Sequence, residues 1–143
     1  RSATEMRGIR ARIADVLRSP QSLEEWQIAL LHRERSAPEG ARTRVTWCRT
    51  APERLDPTLE AYAESIVPRL SDEPGFCSVS VLADPVEGRS ATAVTFADDA
   101  ELEQAFARLG PHLQELGRRY AGEVTDEATF DLVLAHLRVP ETV

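Results

Sequence analysis

Apolar positions recur with two different spacings along this chain, and the alternation between them predicts its elements. Residues 2–18 place Met6, Ile9, Ile13, Val16 and Leu17 on one helical face, with Ser2 or Thr4 as a cap and Pro20 beyond the end. A strand is expected from about Leu23 to Arg33, then a turn through "RSAPEGAR", then a β-branched and aromatic strand from about Thr43 to Thr50. Pro52 opens a helix whose stripe is Leu55, Leu59, Tyr62, Ile66 and Leu70. Pro57, with Asp56 as cap, offers an alternative start, and Pro68 should distort the last turns. A second helix follows Asp98-Asp99, read as its cap and dipole complement, with Leu102, Phe106, Leu109, Leu113 and Leu116 as its stripe. Gly110-Pro111 predicts a kink or break within it, and a last strand is expected from about Ala128 to Val139.

Between the two helices, "PGFCSVSVLADPVEGRSATAVTFAD" reads as strand, tight turn, strand. Strict alternation puts Phe76, Ser78, Ser80 and Leu82 on one face of the first strand, and Cys77, Val79, Val81 and Ala83 on the other. On the second strand, Thr92, Val94 and Phe96 stand against Ala91, Ala93, Thr95 and Ala97. Neither face is plainly polar, so both should be covered.

From residue 43 the order is β-α-β-β-α-β, the ferredoxin-like order of an α+β fold, with the helices on one sheet face. The segment before it resembles the end of the chain in pattern. A shift of 100 brings Met6, Ile9, Ile13 and Val16 onto Phe106, Leu109, Leu113 and Leu116, and a shift of 104 brings Trp26 and His32 onto Phe130 and His136. The expected organisation is therefore a helix-strand half-repeat over residues 1–40, followed by a ferredoxin-like domain over 41–143.

Composition narrows the chemistry. The 143 residues suit one domain and need no disulfide or metal to fold. A formal charge of −7 argues against nucleic acid and against an anionic membrane surface, and no apolar run approaches a membrane span. All 17 basic residues are arginine, and asparagine is absent. A phosphate-loop lysine, a Schiff-base lysine and a catalytic asparagine are thereby excluded. Cys48 and Cys77 lie in separate predicted strands, which suggests free buried thiols and a cytoplasmic chain. No metal-ligand spacing is present, so no metal is expected.

The stretch "RVTWCRTAPERLDPTLEAYAESIVPRLSDEPGFCSVSVLADPVEGRSATAVTFADDAELEQAF" resembles the dimeric α+β barrel superfamily, in its antibiotic-biosynthesis-monooxygenase-like (ABM) branch. "PGF" after the first helix, the hairpin "LADPVEGR", and "TFADDAELEQ" at the second helix carry the likeness, over about residues 43–138. The resemblance implies two ferredoxin-like sheets facing each other, across a homodimer or across two halves of one chain. It implies a cofactor-independent monooxygenase or isomerase acting on an aromatic or polyketide-like molecule; a non-catalytic ligand-binding or assembly domain is the alternative. The heme-degrading pattern of the superfamily needs an asparagine, and a tryptophan and histidine on the second helix. Here "ELEQAFARLGPHLQEL" has His112 but no tryptophan, which argues against that activity.

Three residues are candidates for chemistry. Trp47 and Arg49 alternate on one strand face and would stack on a planar substrate and hold a phenolate. His136 shares a face with Leu132 and Leu134 on the last strand and would accept a proton. Tyr62, Phe96 and His32 are candidates for ligand contact. Each has a plain alternative in core packing or surface solvation.

Overall fold

A computed structural model describes residues 26–131, and the elements within them are five strands and two helical rods. In chain order these are β1 (Gln27–Arg33), β2 (Arg42–Arg49), α1 (Pro52–Ala61), a π-helical turn (Tyr62–Ile66), α2 (Val67–Ser71), β3 (Phe76–Asp84), β4 (Arg89–Phe96), α3 (Asp99–Tyr120) and β5 (Glu123–Asp131). The strands form one antiparallel sheet in the order β1-β3-β4-β2-β5. From β2 onward this is the ferredoxin-like arrangement, with its first and last strands adjacent. The extra strand β1 pairs on the outer edge of β3. The helix expected over 2–18, the start of the strand expected from Leu23, and Leu132, Leu134 and His136 lie outside the described residues.

The first rod begins at Pro52, where a proline costs no helical hydrogen bond, and Pro57 lies inside it instead of starting it. The π turn ends at Ile66, two residues before Pro68. A proline ring cannot accept the tight backbone of a regular helix one turn earlier, and widening the preceding turn relieves that crowding. The second rod is one unbroken helix of 22 residues through Gly110 and Pro111, so the expected break is absent. Burial of Leu102, Ala105 and Leu109 offsets the lost hydrogen bond. Asp98 caps it, its Oδ1 accepting from the Glu101 amide at 2.8 Å. Ala121, left-handed at φ 55°, ends it, and the Gly122 amide donates to the Gly117 carbonyl. The chain therefore enters β5 at Glu123, several residues before the apolar run that marked the expected strand.

Both rods pack on one face of the sheet. Ile66, Leu70, Leu102, Ala105 and Leu109 meet Phe76, Val79, Val94 and Phe96 in a continuous core. Phe76 belongs to that face because β3 carries a bulge: Phe76 pairs with Phe96 and Ser78 with Thr95, leaving Cys77 as the extra residue. Strict alternation had put Phe76 with the serines. The other face carries a smaller cluster of Val45, Trp47 and Ala91, against which Trp26, Ala93, Ala128 and Phe130 pack.

The β3–β4 turn is held from within. Asp84 is fully buried; its Oδ1 accepts from the Val86 and Glu87 amides, and its Oδ2 from Arg89 Nη2 at 2.7 Å. Gly88, at φ +71°, accepts from the Thr50 amide, and a Cβ there would lie 2.0 Å from the Thr50 carbonyl. That close approach ties the hairpin to the end of β2. Burial pushes the Asp84 carboxyl up, but Arg89 and the two turn amides outweigh it and hold it below its ordinary value. A depressed carboxyl stabilises the fold fully above the ordinary carboxylate range and loses that contribution as pH falls through its folded value. Asp84→Asn should therefore cost about 2–3 kcal/mol at pH 7, and urea titrations should show the gap to wild type narrowing toward pH 2–3. A gap that widens in acid would refute the assignment.

Candidate functional site

A cavity of about 210 Å³ lies between the helix-facing side of the sheet and the two rods. Strand alternation builds its floor. On β2, Thr46 and Cys48 point to the helices; Thr92 and Val94 pair alongside on β4, and Val124 and Glu127 alongside on β5. Leu55, Leu59 and Tyr62 from the first rod, with Phe106, Leu113 and Leu116 from α3, form the roof. Arg44 braces this roof: its guanidinium lies 4.7 Å from the Phe106 ring centre and donates to Glu103 Oε2 at 2.6 Å and Thr129 Oγ1 at 3.2 Å. The walls are mainly apolar; the polar groups on the floor are hydroxyls and a thiol, and two carboxylates of β5, Glu123 and Glu127, stand at the exposed rim.

Burial sets the acidity of this lining. Desolvation, with the Glu127 charge adding to it, pushes the Cys48 thiol up to about 11. Desolvation, with Cys48 as the lesser cause, pushes the Tyr62 phenol above its ordinary range. At neutral pH both are uncharged and offer hydrogen-bond donors, not nucleophiles. Glu127, one of the two rim carboxylates, accepts from Thr46 Oγ1 at 3.2 Å. Among the described residues no group of three or more His, Cys, Asp or Glu side chains could hold a metal ion.

The candidates from the sequence fall in different places. Tyr62 lines the cavity, at the first residue of the π turn. Arg49 reaches the cavity from the exposed end of β2. Trp47 does not: it is 6% exposed on the opposite face of the sheet, because its neighbours Thr46 and Cys48 are the ones that face the helices. A stacking wall made by Trp47 beside a helix-side substrate is thereby corrected. Phe96 is fully buried in the core, edge-on to Phe76 at 5.6 Å, and does not line the cavity. His32 Nε2 contacts both Glu34 Oε2 at 2.7 Å and Ser71 Oγ at 3.1 Å, with its ring stacked on Phe76. Both partners use the same nitrogen, so these three residues do not form a relay of the serine-histidine-acid kind, which needs one on each side of the ring. His136 lies outside the described residues.

Thr46, Thr92 and Glu127 also line the cavity, and the sequence does not single them out because each equally fits a solvated strand face. The alternation of Arg44, Thr46 and Cys48 against Val45 and Trp47 was the available signal. It marks two faces without saying which one meets helices.

No protein-family model matches the chain. It is 38% identical over 146 residues to an uncharacterized protein of Mycobacterium tuberculosis, covering 99% of this chain and 63% of that one. A second uncharacterized protein of the same organism is 40% identical over 139 residues, covering 94% and 58%. The chain thus spans about three fifths of the length of these relatives. Among solved structures, a ferredoxin-fold protein related to antibiotic biosynthesis monooxygenases from Listeria monocytogenes matches with a TM-score of 0.55 at 9% identity, covering 73% of this chain and 62% of that one. A heme-degrading enzyme from the same species matches with a TM-score of 0.56 at 11% identity, covering 74% and 69%.

Cys48 and Cys77 are both free, on β2 and β3, which β4 separates. The denatured, non-reduced protein should titrate two thiols. In the folded protein at pH 8, Cys48 should alkylate roughly two orders of magnitude more slowly than after denaturation, since its thiolate is only about a thousandth of the population. Equal rates by peptide mass mapping would contradict a desolvated thiol.

Proposed function

We propose that this chain, whose fold is the ferredoxin-like one of the dimeric α+β barrel superfamily, belongs to its ABM-like branch and binds a small, flat, mainly apolar molecule in the helix–sheet cavity. An aromatic or polyketide-like compound fits best. The observation that carries this reading is the lining itself: leucines and Phe106 above, hydroxyls and a neutral thiol below, in a space of about 210 Å³. Tyr62 and Thr92 would donate to a ligand oxygen, and Arg49 at the mouth would hold a phenolate.

Catalysis is a second reading, supported by Glu127. Its carboxylate at the rim would take a proton from a bound phenol, and the phenolate would react with dioxygen without a cofactor. His136 remains a proposed alternative base. The likeness in fold to an uncharacterized protein related to antibiotic biosynthesis monooxygenases supports this reading only by analogy of fold.

Calorimetric titration with 1-naphthol tests the binding. Saturable binding should be lost in Thr92→Phe, which fills the floor, and weakened severalfold in Tyr62→Phe. Binding that survives Thr92→Phe would place the ligand elsewhere. An oxygen electrode with a dihydroxynaphthalene tests catalysis: Glu127→Gln should slow uptake by about 10²–10⁴-fold. Binding without oxygen uptake would leave a ligand-binding protein and end the oxygenase reading.

Self-association is part of the proposal. Ile28 and Leu31, exposed at 63% and 67%, stand on the sheet face away from the helices, beside Leu82. A second sheet would cover them. Light scattering should find a dimer, and Leu31→Arg should shift it to monomer. A monomeric wild type at micromolar concentration would refute the pairing.

A further inference from the structure

The helix-free face of the sheet holds a second cluster with unused hydrogen-bonding capacity. Three buried side-chain nitrogens have no acceptor among the described residues: Trp26 Nε1, Trp47 Nε1 and Arg89 Nε. All three belong to one place. Trp26 and Trp47 pack in the same apolar cluster with Phe130 and Ala91, and the Arg89 guanidinium lies 5.4 Å from the Trp26 ring centre. Strand register explains the convergence. Arg89 pairs with Asp84 on one side and Arg49 on the other, Ala91 pairs with Trp47 one step along the same face, and Gln27 pairs with Ala83, bringing Trp26 beside Asp84.

An unpartnered buried donor is destabilising, and native proteins hold few of them. Three in one cluster, none elsewhere among the described residues, is a concentration that apolar packing does not explain. Asp84 does not relieve it, since its oxygens accept from the turn amides and from Arg89 Nη2, not from Nε.

We propose that this cluster is a second small-molecule site, distinct from the helix-side cavity, that takes a flat aromatic molecule through a carbonyl oxygen. Two indoles and a guanidinium offer planar surfaces for stacking and N–H groups for the oxygen. Charge selects a neutral acceptor over an anion. Asp84 balances Arg89, and Asp126 stands across from Trp47.

The chain contains two tryptophans, and both are in this cluster, so intrinsic fluorescence reports on it directly. The probes are fluorenone and fluorene, which share a flat ring system and differ by the carbonyl. Fluorenone should change the tryptophan emission saturably, and fluorene should bind about tenfold more weakly or worse, because it leaves the donors unpaired. Trp47→Phe keeps the ring and removes one donor; it should weaken fluorenone severalfold and leave fluorene unchanged, with Trp26 as the remaining reporter. Thr92→Phe, which fills the helix-side cavity, should leave fluorenone affinity as in wild type. If thermal melts show that Trp47→Phe does not fold, Arg89→Lys removes Nε while keeping the charge on Asp84 and should show the same selective loss. Equal affinity for fluorene and fluorenone would overturn the proposal, as would the absence of any saturable change. Loss of fluorenone binding in Thr92→Phe would overturn it too, by assigning the ligand to the helix-side cavity.

Discussion

Strand β2 is held in register from both sides, by β4 and by β5, and everything else about the two faces depends on that. Eight consecutive residues from Arg42 to Arg49 pair with Phe96 through Arg89, and the same strand pairs with Asp131 through Glu123. A slip of one residue would exchange the faces. Trp47 would then enter the cavity, and Thr46 and Cys48 would leave it. The Thr43 and Thr95 hydroxyls, bonded to each other at 2.7 Å on adjacent strands, help to hold this register. The irregularity between Trp47 and Cys48 in the β5 pairing lies where the strand end meets both the cavity and the tryptophan cluster.

The two faces solve different problems. On the helix side, a core of leucines and phenylalanines fills most of the space, and the roof stands off the sheet around Tyr62. The π turn matters here. It inserts an extra residue per turn where Tyr62 sits, and Pro68 supplies the reason for it. The low polarity of that space is what lowers the acidities of Cys48 and Tyr62 and keeps both groups neutral. A pocket of this kind receives apolar molecules and orients them by hydrogen bonds from neutral donors.

On the other side, the cluster is aromatic and cationic at once. Arg89 is tied to a fully buried carboxylate and rests against an indole, an arrangement that fixes the guanidinium and leaves little freedom for rearrangement. The same buried Asp84 closes the β3–β4 turn, and Gly88 presses that turn against Thr50 at the end of β2. The position of Arg89 is therefore coupled to the hairpin, and through it to the strand that also carries the cavity floor.

The helical stripes Leu55–Leu70 and Leu102–Leu116, the β-α-β-β-α-β order and the separation of Cys48 from Cys77 were all legible in the sequence. Periodicity reports which side of an element is apolar, and chain order limits the ways such elements can pack. Tertiary structure alone decided which face of β2 meets the helices, that Phe76 crosses to the core through a bulge, that α3 runs unbroken through Pro111, and that β5 begins at the polar Glu123. Each of these turns on backbone hydrogen bonding between segments distant in sequence. Side-chain pattern constrains that bonding only weakly: a strand with two mixed faces reads the same in either orientation, and packing against neighbours overrides the local preference of a proline or a polar run.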